Sequence, residues 1–475
     1  MEGSRSGNGE TKDCWVTYAE DQSSEIGKLL RLTRHVAVFE TYAPSSALQM
    51  SQVLTEFKIL VHGNTVYSGR AVIRGLIHAG VAFVCEVSLD DRWLDAPGLA
   101  WPAASETAKF TSFIQGWQRF YKVVPEFKVA VADLHAFLSD LRIWLDQQEL
   151  GVNSGPPEQD RDRAEGILRG LEEPVMQTID LLHQRFEEIG DAVPAEARPA
   201  HQHFARRHLH PLFLCAPFGY RAYHKPLGYA GDYEMVNMIL RPPYEGSSLF
   251  AQVMNMWLLR QYPSEAHRNR IDYLVDLLKH ESLRRQVRDD VCRIVTIGCG
   301  PAHEIQRFVA STPLADRVRI ELIDMNEETL AHTASLLEAL KIRHGRRTTV
   351  ETRKRSVLSL LRDAARPTGT TGARRHDFIY CAGLFDYLTD AACQQLLKLC
   401  WDWLAPGGLL VATNVDTYRP FRHMLEFLLD WHLNYRNQSQ MRGLLPAEIP
   451  ADAVSVSSDA TGVNLFLEIR RSAFG

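Results

Sequence analysis

Five short apolar runs follow one another after Arg288: CRIVTIG, VRIELIDM, TTVETRKR, HDFIYCAG and GLLVATNV. Stretches of helical periodicity separate them, and this alternation restricts the region more than any other feature of the chain. Strands that alternate with helices pair in parallel, because a crossover helix must bring the chain back to the same edge of the sheet. The chain closes with VSVSSDATGVNLFLEIRR, two β runs around a turn, which adds a terminal hairpin. An α/β, doubly wound sheet over 289–475 is therefore expected.

The rest of the 475 residues exceeds what one core can organise, so the chain is multidomain. Residues 1–30 are polar and lack periodicity, and read as a disordered tail. Over 31–105 the texture is β: VAVFE, VLTEFKILVHG, NTVYSGRAVIRGLI and GVAFVCEVSL are separated by HGN and HAG turns. A small barrel or sandwich is expected there, structural or dimerising in role. From 106 to 288 apolar residues recur at helical spacing, as in FKVAVADLHAFLSDLRIWL. Pro174 should kink or break one helix of this stretch, and SGPPEQDRDR (154–163) reads as a loop.

Charge and cysteines narrow the class. A net charge of -5 supplies no field for nucleic acid or an anionic membrane, so neither partner is expected. No apolar run is long enough to span a bilayer, and the start, MEGSRSGNGETKD, lacks the apolar core of a secretory signal. The eight cysteines form no CxxC pair, and several sit in apolar runs as small hydrophobes. A cytoplasmic location is expected. HQHFARRHLH (201–210) lacks a carboxylate or cysteine at ligand spacing, so no metal is expected.

The stretch RIVTIGCGPAHEI runs a strand into small residues and then into a helix. Gly298 and Gly300 can take such a tight turn, which lets backbone N–H groups approach a ligand at the sheet's carboxyl edge. Asp324 ends the next strand, where a carboxylate can hold ribose hydroxyls. A dinucleotide site would want a third glycine, but His303 stands there, and Glu304 behind it would repel a pyrophosphate. The turn suits a thioether with a zwitterionic amino-acid tail.

IGCGPAHE, IDMN, HDFIYCAGLFDYL and LAPGGLLVATN thus resemble, in order, the motifs of the class I S-adenosylmethionine (SAM) methyltransferases, a Rossmann-like fold with a terminal hairpin. That resemblance implies SAM as cofactor. Gly298, Gly300 and Glu304 would border its methionine part, Asp324 its ribose, and Met325 and Asn326 its adenine. Ser356 and Val357 would flank the adenine ring, with Ala382 and Gly383 beneath the sulfonium. Met325 and Val357 could equally be core, and Ser356 a helix cap. The β-rich segment resembles a PilZ-type barrel but lacks the Asp/Asn-x-Ser-x-x-Gly motif, so cyclic-dinucleotide binding is not implied.

HKPLGYAGDYEMVN (224–237) gathers Lys225, Tyr229, Asp232, Tyr233 and Glu234 around two glycines and a proline. It reads as a wall of the substrate site, or as a turn with Asp232 as helix N-cap. Together with HPLFLCAPFGYRAY before it, this segment resembles the bacterial family of 3-hydroxypalmitic acid methyl ester biosynthesis, SAM-dependent methyltransferases linked to quorum signals. The similarity runs from about His201 to the end. It implies methylation of a small-molecule carboxylate, held by Lys225 or Arg221. The residues also permit an amine or guanidine acceptor, oriented by Asp232, Glu234 and Asp386, with a carboxylate taking the proton. Tyr233 joins these as a catalytic candidate, and Tyr229, Tyr387 and Asn414 as substrate contacts. The helices from about 165 to 285 are the candidate lid. A barrel sensor attached to a non-catalytic SAM fold is the alternative to an enzyme.

Overall fold

The computed structural model describes residues 14–20, 23–42, 48–61, 63–79, 82–90, 92–94, 111, 114, 122–152, 157–287, 290–365, 375–418 and 420–473. The chain divides into two units, 1–124 with 193–204, and 125–192 with 205–475. Of the stretch expected to form a helical domain, 125–192 and 205–288 thus fall in one unit with the sheet, and 193–204 in the other.

In the first unit, β1 (Cys14–Glu20), β2 (Ser23–Leu32), β3 (Val36–Tyr42), β4 (Val53–Val61), β5 (Asn64–Ala79) and β6 (Ala82–Leu89) close into an antiparallel barrel. Their order around it is β1-β2-β3-β6-β5-β4. Residues 14–20 and 23–32 are strands, which corrects the expectation of a disordered tail to residue 30. Alternation explains the correction: Val16 and Tyr18 point inward and are buried, while Trp15 between strand neighbours stays exposed. Closure leaves this six-stranded sheet without an unpaired edge. Phe39, Phe57 and Tyr67 fill the interior, and Gly27 is required there because a Cβ would lie 2.6 Å from the Phe39 ring.

The second unit begins with α1 (Pro125–Val152) and α2 (Pro157–Asp191). Residues 157–163, expected as loop, are the first turns of α2; Pro157 is tolerated there because the first N–H groups of a helix have no partner to lose. Residues 154–156 of that loop lie outside the described residues. The helix also continues through Pro174 rather than ending at it. After α3 (Arg198–Phe213) come α4 (Pro217–His224), α5 (Tyr233–Leu240), α6 (Leu249–Arg260) and α7 (Tyr262–Gln286). Among the described residues, no helix is long and apolar enough to cross a membrane.

The alternating region follows as β7 (Cys292–Ile297), α8 (His303–Ser311), β8 (Val318–Asp324), α9 (Glu327–His344), β9 (Thr349–Lys354), α10 (Val357–Ala365), β10 (His376–Cys381), α11 (Asp390–Trp403) and β11 (Leu404–Val415). A short α12 (Gln438–Gly443) precedes the hairpin β12 (Val454–Ser458) and β13 (Asn464–Arg470). The sheet order is β12-β13-β11-β10-β7-β8-β9. Strands β7 to β11 pair in parallel, whereas β13 runs antiparallel to β11 and to β12. This is the five-stranded parallel sheet with a terminal hairpin that the sequence predicts.

Both faces are covered. Val295, Ile297, Ile379, Cys381 and Leu410 pack on one side with Leu396 and Leu397 of α11. Ile294, Phe378, Tyr380 and Leu409 pack on the other with Leu274 and Leu278 of α7 and Phe308 of α8. The order reverses between β7 and β10, since the chain leaves β7 toward β8 on one side and later returns to β10 on the other. In open α/β sheets the crevice beyond the strands' carboxyl ends at such a reversal is where ligands bind.

Candidate functional site

At that crevice β7 ends in a turn with three residues in the left-handed region: Gly298 (φ +70°), Gly300 (φ +52°) and Ala302 (φ +50°). The N–H groups of Gly298 and Cys299 both donate to the carbonyl of Ile323 at the end of β8, at 2.8 and 3.1 Å. A Cβ on Gly300 would meet nothing within 4 Å, so the backbone there is open to an approaching ligand. Asp324 lies beside this turn, buried, accepting from Gly300 N at 3.1 Å and Asn326 N at 2.9 Å. Burial pushes its carboxyl above the usual range, against the pull of the N–H groups of Asn326, Gly300 and Met325. The Cys299 thiol also donates to Oδ2, at 4.0 Å, so of about four acceptor positions the one left for a ligand hydroxyl is on Oδ1.

Glu304, in the first turn of α8, is also buried, and the Tyr380 hydroxyl donates to it at 2.7 Å. Burial raises its carboxyl, while Tyr380 and Arg270 act in the opposite direction. Arg270, on α7, lays its guanidinium on Gly383 just past β10. A Cβ at Gly383 would stand 2.9 Å from one terminal nitrogen and 3.1 Å from the other. The other glycine property is used too, since Gly383 has φ +79°.

The segment 224–237 reaches this region, but most of its polar groups are engaged with protein. Asp232 caps α5, accepting from Glu234 N and Met235 N at 3.1 Å each, and both its oxygens lie within 3.0 Å of Arg221 Nε. Asp232, expected as catalytic, and Arg221, expected to hold a carboxylate, are thus paired with each other, and Asp232 takes the N-cap position that the segment also allows. Lys225 is buried and donates to the carbonyl of Leu429 at 3.0 Å, so it also does not face an acceptor. Tyr233 donates to Glu328 at 2.8 Å, a bond that raises its phenol to about 12, and Glu234 pairs with Arg241 at 2.7 Å. Both are thus bonded to protein partners.

Tyr229 is engaged as well, through a side-chain hydrogen bond with Thr329. It is partly buried, and burial followed by the nearby charge of Asp324 pushes its phenol up. Beside it, Gly231 (φ +73°) leaves room for Tyr387, whose hydroxyl would lie 2.9 Å from a Cβ there. The Tyr387 hydroxyl accepts from Trp431 Nε1 at 3.0 Å. One further bond ties the segment to the turn, between His303 Nε2 and Asn237 Oδ1 at 2.7 Å. Burial and the Arg307 charge hold His303 down at about 4, so it is a neutral donor here rather than a cation.

Asp386 is buried and accepts from Val415 N at 2.6 Å, and its own backbone N–H also bears on the carboxylate. Burial raises its carboxyl, opposed by those N–H groups and by the charges of Arg270 and Arg436. Asn414, expected to touch substrate, is fully buried and holds the carbonyls of Val415 and Asn434 and the Arg436 guanidinium. It is a loop brace. Asn326 caps α9 through Thr329 N at 2.9 Å, and Ser356 accepts from Ser359 N at 3.2 Å at the start of α10. Val357 is in the core, while Met325 keeps 37% of its surface exposed beside the turn. Ala382 is partly buried behind Gly383, whose N–H donates to Thr413 at 2.8 Å.

Reading the sequence missed Arg270, His267, Tyr380 and Trp431. HRNRID resembles any solvated helix face, and only the docking of α7 on the sheet places Arg270 on Gly383.

No family model matches the chain, and no curated protein matches it. Among solved structures it is similar to a possible exported protein from Bordetella parapertussis, at 17% identity over 72% of this chain and 97% of that one, TM-score 0.40. It is also similar to magnesium protoporphyrin IX methyltransferase from Synechocystis PCC 6803 with bound S-adenosylhomocysteine, at 10% identity over 45% and 88%, TM-score 0.32. A third is the N-methyltransferase NodS from Bradyrhizobium japonicum WM9 in complex with S-adenosylhomocysteine, at 16% identity over 50% and 97%, TM-score 0.29.

Proposed function

We propose that the protein is a SAM-dependent methyltransferase of a small molecule. The observation that carries this reading is Asp324, a buried carboxylate clamped to the Gly300 turn with acceptor capacity left over. A ribose hydroxyl is the ligand group that fits that capacity at the end of a second strand. Gly298 and Gly300 would lie along the methionine part, with Glu304 toward its ammonium. Met325 would lie along the adenine, and Ala382 and Gly383 beneath the sulfonium. His303 in place of a third glycine, and the Glu304 carboxylate next to it, speak against a pyrophosphate.

SAM supplies a methyl group on a positively charged sulfur. The chain's part is positional: hold the acceptor atom in line with that methyl and exclude water. The acceptor's lone pair forms the new bond to carbon as the carbon–sulfur bond breaks, leaving S-adenosylhomocysteine.

For the acceptor, resemblance to the methyl ester family supports a carboxylate. One observation favours an acceptor that bears an N–H or O–H instead: Lys225 and Arg221 are engaged elsewhere, and Asp386 is a buried carboxylate with no side-chain ion pair among the described residues. Such an acceptor would donate to Asp386 and surrender its proton on transfer. Incubation with labelled SAM and a metabolite pool, followed by mass identification of labelled products, tests both. An absence of SAM or S-adenosylhomocysteine binding by calorimetry would end the methyltransferase reading, and an ester product would end the second one.

A further inference from the structure

Among the described residues, Arg270 is a guanidinium at the sheet's carboxyl edge with no carboxylate within ion-pair distance. Its side-chain hydrogen bonds all run from Nη2 to the His267 ring, to Nδ1 at 2.6 Å and to Nε2 at 3.5 Å. An arginine presents five N–H groups in a planar fork, so most of its donor capacity is unused. Three buried carboxylates, Asp324, Glu304 and Asp386, occur around the same edge, yet each is bonded to other groups. The arginine is also held in place. Its plane rests on Gly383, and the half-buried His267 imidazole accepts from its Nη2. Desolvation, with the charges of Arg270, His303 and Arg268, keeps that imidazole neutral and able to accept.

A fixed fork with open donors, resting where the strand end meets the cofactor turn, is the geometry of a carboxylate receptor. We propose that Arg270, positioned by His267 and Gly383, binds the α-carboxylate of the cofactor's methionine tail. Opposite it, Glu304 supplies the negative group for the ammonium, so the two ends of α-amino acid charge are read by a pair of opposite residues. This inference rests on the SAM reading given above. A carboxylate belonging to the acceptor has the same chemistry, and the test separates the two sources.

The test is a two-by-two comparison by calorimetry, in the full-length protein, of S-adenosylhomocysteine and its decarboxylated analogue, which keeps the amine and the nucleoside. In the unaltered protein, removal of the carboxylate should weaken binding at least tenfold. Arg270→Gln should weaken S-adenosylhomocysteine to the same degree and leave the analogue within twofold, so that the variant no longer distinguishes the ligands. Arg270→Lys, with charge but no fork, should recover part of the discrimination. A structural role for Arg270 would lower both affinities together, and that result overturns the proposal. So does a carboxylate worth under threefold in the unaltered protein, which moves the arginine's ligand to the acceptor. If the unaltered protein bound neither compound, the cofactor reading itself would fall and this inference with it. Should Arg270→Gln not fold, the unaltered protein's response to decarboxylation and the Lys variant still decide the matter.

Discussion

The two ends of α7 carry similar charges and treat them in opposite ways. Toward the amino edge of the sheet, Glu281 is fully buried and accepts from Arg470 at 2.7 and 2.9 Å and from Arg284 at 2.7 and 3.0 Å. Next to it Arg285 pairs with Asp377, which also accepts from Arg293 N at the start of β7. At the carboxyl edge, on the same helix, Arg270 has one imidazole and no carboxylate. The closed end holds helix and sheet together. On the reading proposed above, the open end leaves donors and acceptors for a ligand. Unfilled hydrogen-bonding capacity in a partly buried place costs stability, and its concentration at one edge marks where function resides.

The difference can be broken most forcefully at the closed end. Glu281→Gln removes one partner of a buried ion network and should lower unfolding free energy by about 3–5 kcal/mol, read by denaturant midpoint, with cofactor affinity within twofold. Burial raises the Glu281 carboxyl but its arginines prevail and hold it below the usual range, so the folded protein binds that proton less readily than the unfolded chain. Its stabilisation is therefore complete above about pH 4.3, the unfolded value, and is lost as pH falls through the lower folded one. The deficit of Glu281→Gln should shrink in acid.

At the open end the corresponding effect should appear in binding. Asp324→Ala should reduce S-adenosylhomocysteine affinity at least tenfold, since charge-assisted hydrogen bonds contribute about 1.5–3 kcal/mol each. The Asp324 carboxyl is raised, so in the unaltered protein affinity should begin to weaken in acid at a pH above the usual aspartate value of about 3.9. Asp324→Asn, which cannot titrate, should show a flatter profile. Unchanged affinity in a folded Asp324→Ala protein would remove the cofactor assignment.

Asp232→Ala is a smaller test, and it belongs with the closed end although it sits near the open one. Loss of an N-cap costs about 1 kcal/mol, and Arg221 loses its partner as well. Thermal melting should fall, while S-adenosylhomocysteine affinity should stay within twofold. The smallest change is expected for Arg270→Gln without ligand: unfolding free energy within about 1 kcal/mol of the parent, or above it, because no protein ion pair is lost. A large destabilisation there would show that the two ends of α7 are alike after all.

Much of the sheet was legible because its signals are local. A strand's apolar alternation, the Gly298 and Gly300 turn and Asp324 at a strand end all lie within a few residues of one another. The first two barrel strands were not, since CWVTYAE and SSEIGKLLRL alternate apolar with charged or polar residues and begin in a polar stretch. Their burial is settled by closure of the barrel, a long-range event. Asp232 illustrates an ambiguity of another sort. The same GDYE string serves a cap or a base, and only the position of Arg221 one helix earlier decides between them. Arg270 had no sequence signal, because its neighbour Gly383 comes from a different strand end.

The engagement of segment 224–237 also sets the size of what can move. Lys225 is fastened to the carbonyl of Leu429 and Asp232 to Arg221, with Gly228 (φ +86°) and Gly231 (φ +73°) between them. Six residues lie between these anchors, Pro226 to Gly231, about 20 Å if fully extended, and Gly228 N donates back to the Lys225 carbonyl at 2.8 Å. Tyr229 is the one large side chain at its crest that faces Asp324. That phenol also hydrogen-bonds Thr329, so a smaller residue at 229 would take away at one stroke a tie between the short glycine-flanked tether and α9 and the ring that stands beside the Asp324 carboxylate.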